Sequence, residues 1–468
     1  MGSLREHLDA TSQRGRILAV RGRRQVGKST ALERFVEGCG VPYLYATGVY
    51  RGSARQHLDG LAAAAHQSRV PLPGADELFA APPASWRDAL GKIGLAARSG
   101  PVVVVLDEFP WFVGTDPSLE GELQAVWDRV WEKLPVLLVL IGSDVAMMDR
   151  LTGYGRPLFG RVRDVRLGAL DPGEVAQALP HADAQEVLDA YLITGGYPRL
   201  VQDLVGSGRP TRDWAARCFA DPFSPLLATG RFIMDAEFPD SPAASHVLAV
   251  IGSQDSGRPG FTDIVSAVAD PDERKSTETA VTRALGLLSG PKELIERELP
   301  AWAAPKTRLR RYRVADPYLR FWFRYVDQQA DLVWRGRPDL PLARFEQDWP
   351  TWRGHSVEPV VRQSLLRLAV DHPELGGVEQ VAPWWTRDGQ TEIDVVATTR
   401  ATTAVVGTIK WRYSGGVTRH ELVRLAHAAS LVPHAADARL AAVFPAGDAP
   451  AEADLVFRAE DLLAAWRP

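Results

Sequence analysis

Cysteine is nearly absent: the 468 residues contain two, Cys39 and Cys218. They lie far apart and match no metal-ligand spacing, which excludes a disulfide framework and points to a reducing compartment. Long apolar runs are also missing. The longest, PVVVVL at 101–106 and LPVLLVLI at 134–141, fall short of the roughly 20 residues that cross a bilayer. The opening MGSLREHLDATSQRGR lacks the apolar core of a secretion signal. A cytoplasmic chain without a membrane partner is therefore expected. Neither sign of charge dominates, with 54 basic and 58 acidic residues and a net charge of −4. Whole-chain charge gives no support to nucleic-acid binding and leaves only a local basic patch to carry it. There is no internal repeat and no low-complexity tail.

What is present is ordinary for a globular protein: 46% hydrophobic and 24% charged residues. At roughly 100–200 residues per domain the length implies about three domains. The first third alternates strands and helices. RILAV at 16–20 leads into a glycine turn and the helical STALERFVEGCG. PYLYATGVY at 42–50 reads as a second strand, and helical stretches follow over 54–68 and 84–98, with a Pro/Gly/Ala-rich loop at 71–83 between them. PVVVVLDEF at 101–109 and LPVLLVLIGS at 134–143 are buried strands on either side of the helical LEGELQAVWDRVWEKL. Such alternation predicts a parallel α/β sheet.

Beyond residue 170 the pattern turns helical, opening at Asp171 and Pro172, a good helix start. Residues 240–315 read as three helices closed by the hairpin of LIERELP and LRRYRVAD, a wing. The aromatic-rich ADPYLRFWFRYVDQQ follows, and 340–468 reads as a second mixed α/β region.

Gly22-Arg-Arg-Gln-Val-Gly27-Lys28-Ser29 fits GxxxxGK[ST], with a strand before it and a helix after it. Glycines let the backbone curl so that amides of Gly22, Gln25, Val26, Gly27 and Thr30 point at phosphate oxygens, and the helix adds its positive end. Lys28 is placed to reach the β and γ phosphates, and the Ser29 hydroxyl to ligate Mg²⁺. The second half of such a site is VVVVLDEF. Asp107 at its end is expected to hold Mg²⁺ through water, and Glu108 to polarise an attacking water. The next strand ends in Gly142 and Ser143. Ser143 is either a γ-phosphate sensor or a helix N-cap. ATP and Mg²⁺ are the expected cofactors.

By these residues the chain resembles archaeal and bacterial ATPases of the STAND/AAA+ class with a DUF234-type C-terminal region. The pieces that carry the resemblance are GRRQVGKST, VVVVLDEFPW, LVLIGSD, RPLFGR, TGGYPRL and YRVADPYLRFWFRYV, in the family's order over residues 16–330, with a weaker likeness to the end. The resemblance implies a P-loop NTPase parallel sheet over 1–170, a helical lid over 171–238, a winged helix over 239–318 and a PD-(D/E)xK nuclease-like α/β domain over 319–468. It implies that Arg161 is an arginine finger or inter-domain sensor, the alternative being a surface salt bridge, an alternative also open for Arg156. It implies too that Pro198, with Gly195 and Gly196, closes on the nucleotide's base, where a plain helix-breaking turn is the alternative.

For the C-terminal region the resemblance implies carboxylates around a divalent metal and a lysine beside them. Glu358, Asp394 and Lys410 match. The residue two before the lysine should be acidic and is Thr408; Glu392, on the Asp394 face, is the residue that would compensate. Metal-dependent cleavage therefore stands against an inactive, DNA-holding or structural domain, with Asp394 and Lys410 as a buried ion pair. Arg308, Arg310, Arg311 and Arg313 on the wing are candidate contacts to duplex DNA. Their alternative is an intramolecular surface with the neighbouring aromatics as core. Two functions follow: an ATP-driven switch acting on DNA, or a STAND-type signalling or scaffolding ATPase that binds a protein partner or oligomerises. A kinase would not need the long C-terminal regions.

Overall fold

The computed structural model describes residues 2–12, 14–142, 145–238, 241–254, 258–269 and 274–467. The chain forms two compact units, Met1–Gly168 and Ala169–Pro468. Among the described residues no helix is long and apolar enough to cross a membrane.

The first unit is a five-stranded sheet of β1 (Arg16–Arg21), β2 (Tyr43–Thr47), β3 (Val102–Asp107), β4 (Val136–Gly142) and β5 (Val162–Arg166). The order is β2-β3-β4-β1-β5, and every pairing is parallel. Side-chain alternation sorts each strand into two cores. Ile17, Val104, Leu106, Leu138 and Leu140 face one way, under helices that contribute Leu58, Leu90 and Leu123. Leu18, Val20, Val105, Val139 and Ile141 face the other, under Leu32, Phe35 and Val36. β3 and β4 are buried along their whole length, which explains their unbroken apolar runs.

Among the elements that differ from the sequence reading, three belong to the first unit's sheet and its connections. β5 was not expected: its sequence VRDVR is charged because the strand lies at the sheet edge, with Arg163, Asp164 and Arg166 exposed. A helix, Phe109–Thr115, starts directly after the two acids with Pro110 in its first turn. A single helical turn, Ala75–Leu78, interrupts the segment read as loop.

The second unit opens with helices Pro172–Ala178, Ala184–Thr194, Pro198–Ser207, Thr211–Phe219 and Pro225–Glu237. Asp171 caps the first, accepting from the Glu174 amide at 2.9 Å. Helices Pro242–Ser253, Phe261–Val268 and Arg274–Ser289 with the antiparallel hairpin β6 (Ile295–Glu298) and β7 (Arg311–Val314) make the winged helix. A long helix, Asp339–Leu368, leads to β8 (Gln380–Trp385), β9 (Glu392–Thr398) and β10 (Thr403–Ile409), then through helix Arg419–Ala429 to β11 (Arg439–Val443) and β12 (Leu455–Phe457). The order is β12-β11-β10-β9-β8, antiparallel from β8 to β10 and parallel from there on. These elements form the separate C-terminal α/β sheet that the sequence led one to expect.

The helix Pro317–Tyr325 is the hub of this unit, with every residue from Tyr318 to Tyr325 buried. The Tyr318 hydroxyl donates to the Leu226 carbonyl at 2.8 Å and accepts from the Gly230 amide at 2.7 Å. A Cβ on Gly230 would stand 2.3 Å from the Trp322 ring, so only glycine fits. On another side Phe321 and Tyr325 meet Phe345 and Trp352 of the long helix. The aromatics too dense for solvent are thus core. The next residue, Arg353, is fully buried and donates to Asp189 at 2.5 Å, with the Tyr413 ring 4.5 Å from its guanidinium carbon. Burial pushes the Asp189 carboxyl up to about 6 despite that partner. Arg353→Ala strands a buried carboxyl and should cost the second unit about 3–5 kcal/mol in chemical denaturation. Combining it with Asp189→Asn should cost less than the sum of the two single changes.

Candidate functional site

β1 delivers the chain to Gly22, where it passes so close to the segment after β5 that a Cβ on Gly22 would lie 2.1 Å from the Leu167 carbonyl oxygen. The Leu167 amide donates to the Arg21 carbonyl at 2.7 Å, holding that approach. The turn then bends through two left-handed residues, Gln25 at φ 67° and Gly27 at φ 86°. Val26 is buried and anchors it, Thr30 is exposed, and the Gln25 Oε1 is buried with no hydrogen-bond partner among the described residues. Helix Lys28–Gly38 begins immediately, and its first backbone bond runs from Ala31 to Gly27 at 2.8 Å. The amides of Lys28, Ser29 and Thr30 precede the ladder and mark the helix's positive end.

Lys28 is only 5% exposed. Its Nζ donates to the Gly22 carbonyl at 2.7 Å and the Arg23 carbonyl at 2.8 Å. An ammonium is thus buried beside the positive end of a helix, an arrangement that an anion stabilises.

Asp107 ends β3, buried, at the same sheet edge. Its Oδ1 accepts from the Glu108 amide at 2.9 Å and its Oδ2 from the Tyr45 hydroxyl at 2.8 Å. Burial first, and then the Asp107 charge, raise the Tyr45 phenol and keep it a donor. Tyr45 went unnoticed in the sequence, although strand alternation places it on the Tyr43 and Thr47 face. Glu108 is half-buried at φ 53°, at the N-terminus of helix Phe109–Thr115. β4 lies between β1 and β3 and ends at Gly142; Ser143 lies outside the described residues. A glycine turn, a buried ammonium, a hydroxyl and an oriented carboxylate fit a nucleotide phosphate with Mg²⁺.

Arg161 forms a two-pronged ion pair with Asp128, from Nε at 2.7 Å and Nη2 at 2.8 Å, which lowers the Asp128 carboxyl. Arg156 pairs with Glu120. Gly195 at φ 59° and Gly196 at φ 70° end one helix, and Pro198 starts the next. A Cβ on Gly195 would come 2.6 Å from the Tyr318 Cβ, and one on Gly196 1.9 Å from the Leu170 carbonyl. Packing within the second unit is enough to require both glycines.

The second candidate cluster differs from its expectation. Glu358 is buried in the long helix, and Asp394 sits on β9 with Lys410 just past β10, where its charge lowers the Asp394 carboxyl against the larger effect of burial. The Asp394 Oδ2 accepts from the Thr408 hydroxyl at 3.1 Å and the Ile409 amide at 2.8 Å. Glu392, expected to serve as a compensating metal ligand, is instead paired with Arg258 at 2.9 Å and Arg311 at 2.9 Å. Among the described residues no group of three or more His, Cys, Asp or Glu side chains is arranged to hold a metal. The residues do not fit a divalent cation.

The wing arginines need correction as well. Arg311 pairs with Glu392 and lies over the Trp385 ring at 4.3 Å, and Arg313 pairs with Glu296 and, at 3.6 Å, with Glu298. Their charges are met inside the protein. Arg310 donates to the Thr307 carbonyl at 2.9 Å, and Arg308 is exposed. The wing's own loop is fastened too: the Ala301 amide donates to Pro383 at 2.9 Å and Trp302 Nε1 to the Thr403 hydroxyl at 2.8 Å. Arg311 and Arg313 thus serve intramolecular contacts, which leaves Arg308 and Arg310 as the candidate DNA contacts.

With this geometry established, likenesses to one family and three known proteins take their place. The family DUF234, described as archaea bacterial proteins of unknown function, matches residues 322–422. That match meets the expectation of a DUF234-type C-terminal region, and it includes Glu358, Glu392, Asp394 and Lys410 but not Arg258. An uncharacterized protein of Methanocaldococcus jannaschii is 23% identical over 300 residues, 63% of this chain and 64% of that protein, so the chain spans less than two thirds of this relative's length. The Walker-type ATPase of Pyrococcus abyssi is 17% identical with a TM-score of 0.48, over 69% of this chain and 94% of that one. The Aeropyrum pernix ORC2 protein, in ADPNP–ADP complexes, is 14% identical with a TM-score of 0.46, over 74% and 94%.

Gly22→Ala should force the turn away from Leu167 and weaken nucleotide binding at least tenfold in equilibrium titration. Tyr45→Phe removes one hydrogen bond, about 1 kcal/mol of stability, and should raise the Mg²⁺ concentration needed for half-maximal turnover while leaving metal-free nucleotide affinity unchanged.

Proposed function

We propose that this chain binds and hydrolyses ATP at Gly22–Thr30 and uses the nucleotide state as a switch. The observation that carries the reading is the buried Lys28 ammonium at a helix N-terminus, with Asp107, held by the Tyr45 hydroxyl, at the carboxyl end of β3 in the same sheet. The amides from Gly22 to Thr30 grip phosphate oxygens, and Lys28 exchanges its two loop carbonyls for the terminal phosphates. Ser29 and Asp107 hold Mg²⁺, which neutralises charge on the leaving phosphate. Glu108, placed by its left-handed backbone next to Asp107, orients the attacking water. Arg161, once released from Asp128, supplies a further positive fork.

The output is carried by the second unit. A wing whose loop is tied to β8 and β10 and whose Arg311 and Arg313 are paired favours a protein partner, or a second copy of this chain, over duplex DNA. The DNA reading then rests on Arg308 and Arg310. A gel-shift series on plain duplex DNA at two salt levels, without nucleotide, with ADP and with a non-hydrolysable ATP analogue, separates the two readings. The protein-partner reading expects no shift in any state and an ATP-dependent change in size by light scattering. A salt-sensitive shift lost in the double variant Arg308→Ala, Arg310→Ala would restore the DNA reading.

For the ATPase itself, Lys28→Ala should abolish nucleotide binding or turnover, whereas Glu108→Gln should retain ATP with turnover reduced at least a hundredfold. Normal hydrolysis by both variants would remove these roles.

A further inference from the structure

The carboxylates that a nuclease-like domain would use for metal surround a guanidinium here. Arg258 stands just before helix Phe261–Val268 with its side chain 10% exposed. Its Nη1 lies 3.0 Å from Glu358 Oε2 and 3.7 Å from Glu298 Oε2, and its Nη2 lies 2.9 Å from Glu392 Oε1. Three carboxylates from three elements, the long helix, β6 and β9, converge on this one side chain. We propose that Arg258 is the resident cation of this acidic cluster, that it takes the place of a divalent metal, and that it latches the winged helix to the C-terminal sheet.

Three observations support this. First, Arg258 is held in place from behind. The neighbouring Pro259 carbonyl accepts from the Tyr312 amide at 3.0 Å, and Gly260 bridges to Arg311, so the residue is fixed to β7. Second, the acid oxygens have further partners. Arg362 donates to Glu298 Oε1 at 2.6 Å, to the same Glu358 Oε2 at 3.2 Å and to the Asp394 carbonyl at 3.1 Å, His355 Nδ1 lies 3.2 Å from Glu358 Oε1, and Arg311 holds the other oxygen of Glu392. A divalent ion would enter among guanidinium groups, at a Coulombic cost that grows as water is excluded. Third, Thr408 stands where a further acid ligand would be and donates its hydroxyl to Asp394, so that carboxylate is also occupied.

The electrostatics agree with the geometry. Burial would raise the Glu358 carboxyl, but Arg258, His355 and Arg362 outweigh it and hold it at about 2, fully ionised at neutral pH. The Arg258 guanidinium is likewise driven further towards its charged form by Glu358, Glu298 and Glu392 against burial. Each partner fixes the other's charge, which is what a latch requires and what a metal site open to solvent lacks. On this assignment the domain does not cleave nucleic acid with a metal, and its acids serve to join two parts of the second unit.

The test is independent of the ATPase. The nucleotide-free full chain is titrated with Mn²⁺, followed by electron paramagnetic resonance of the free ion, beside Glu358→Gln. Wild type should show no Mn²⁺ binding that Glu358→Gln removes; a Glu358-dependent site in wild type overturns the proposal. Arg258→Ala leaves three carboxylates facing one another, so its melting temperature should fall by several degrees and recover in millimolar Mn²⁺. That recovery should vanish when Glu358→Gln is added. A soluble Arg258→Ala variant whose melting is indifferent to Mn²⁺ contradicts the assignment of a cation position. If Arg258→Ala fails to fold, the comparison of wild type with Glu358→Gln still decides.

Discussion

A positive charge buried against the positive end of a helix is the constraint on which the first unit depends. Lys28 is inside the protein, at the first turn of its helix, with its ammonium on the carbonyls of Gly22 and Arg23. Helix dipole and ammonium repel each other, and an anion bound at the turn would stabilise both. The surrounding features serve to sustain that arrangement. Gly22 is glycine because Leu167 leaves no room for a Cβ. The central strands are apolar throughout because they carry the turn and Asp107 on an unbroken sheet, at the carboxyl ends where open α/β sheets bind ligands.

The second unit meets the same problem with the opposite solution. Its acids, the buried Glu298 and Glu358 and the exposed Glu392, do not await a cation, since Arg258, Arg311 and Arg362 already face them. The network joins the winged helix to the C-terminal sheet, and the aromatic helix Pro317–Tyr325 joins the lid helices to Asp339–Leu368.

Much of this was legible in the sequence, and the parts that were not share a cause. The glycine turn, the strand VVVVLD and the helix after Lys28 are local patterns, and local patterns determine local structure. β5 escaped because an exposed edge strand carries charge where a buried one carries valine. The wing arginines looked like a DNA-facing patch because their acid partners lie far off along the chain: Glu392 is 81 positions from Arg311. Arg258 sits in a plain loop sequence and gave no signal; only the fold shows that three acids meet it. Tyr45 was within reach, since it shares a strand face with Thr47, whose register partner is Asp107.

The most direct measurement is a crystal structure with a non-hydrolysable ATP analogue and Mg²⁺. The expected result has the Lys28 Nζ off the Gly22 and Arg23 carbonyls and on the terminal phosphate, with the metal between Ser29 and Asp107 and the Tyr45 hydroxyl still on the carboxylate. Saturating ligand with Lys28 still bonded to those carbonyls, or a nucleotide held elsewhere on the chain, would contradict it.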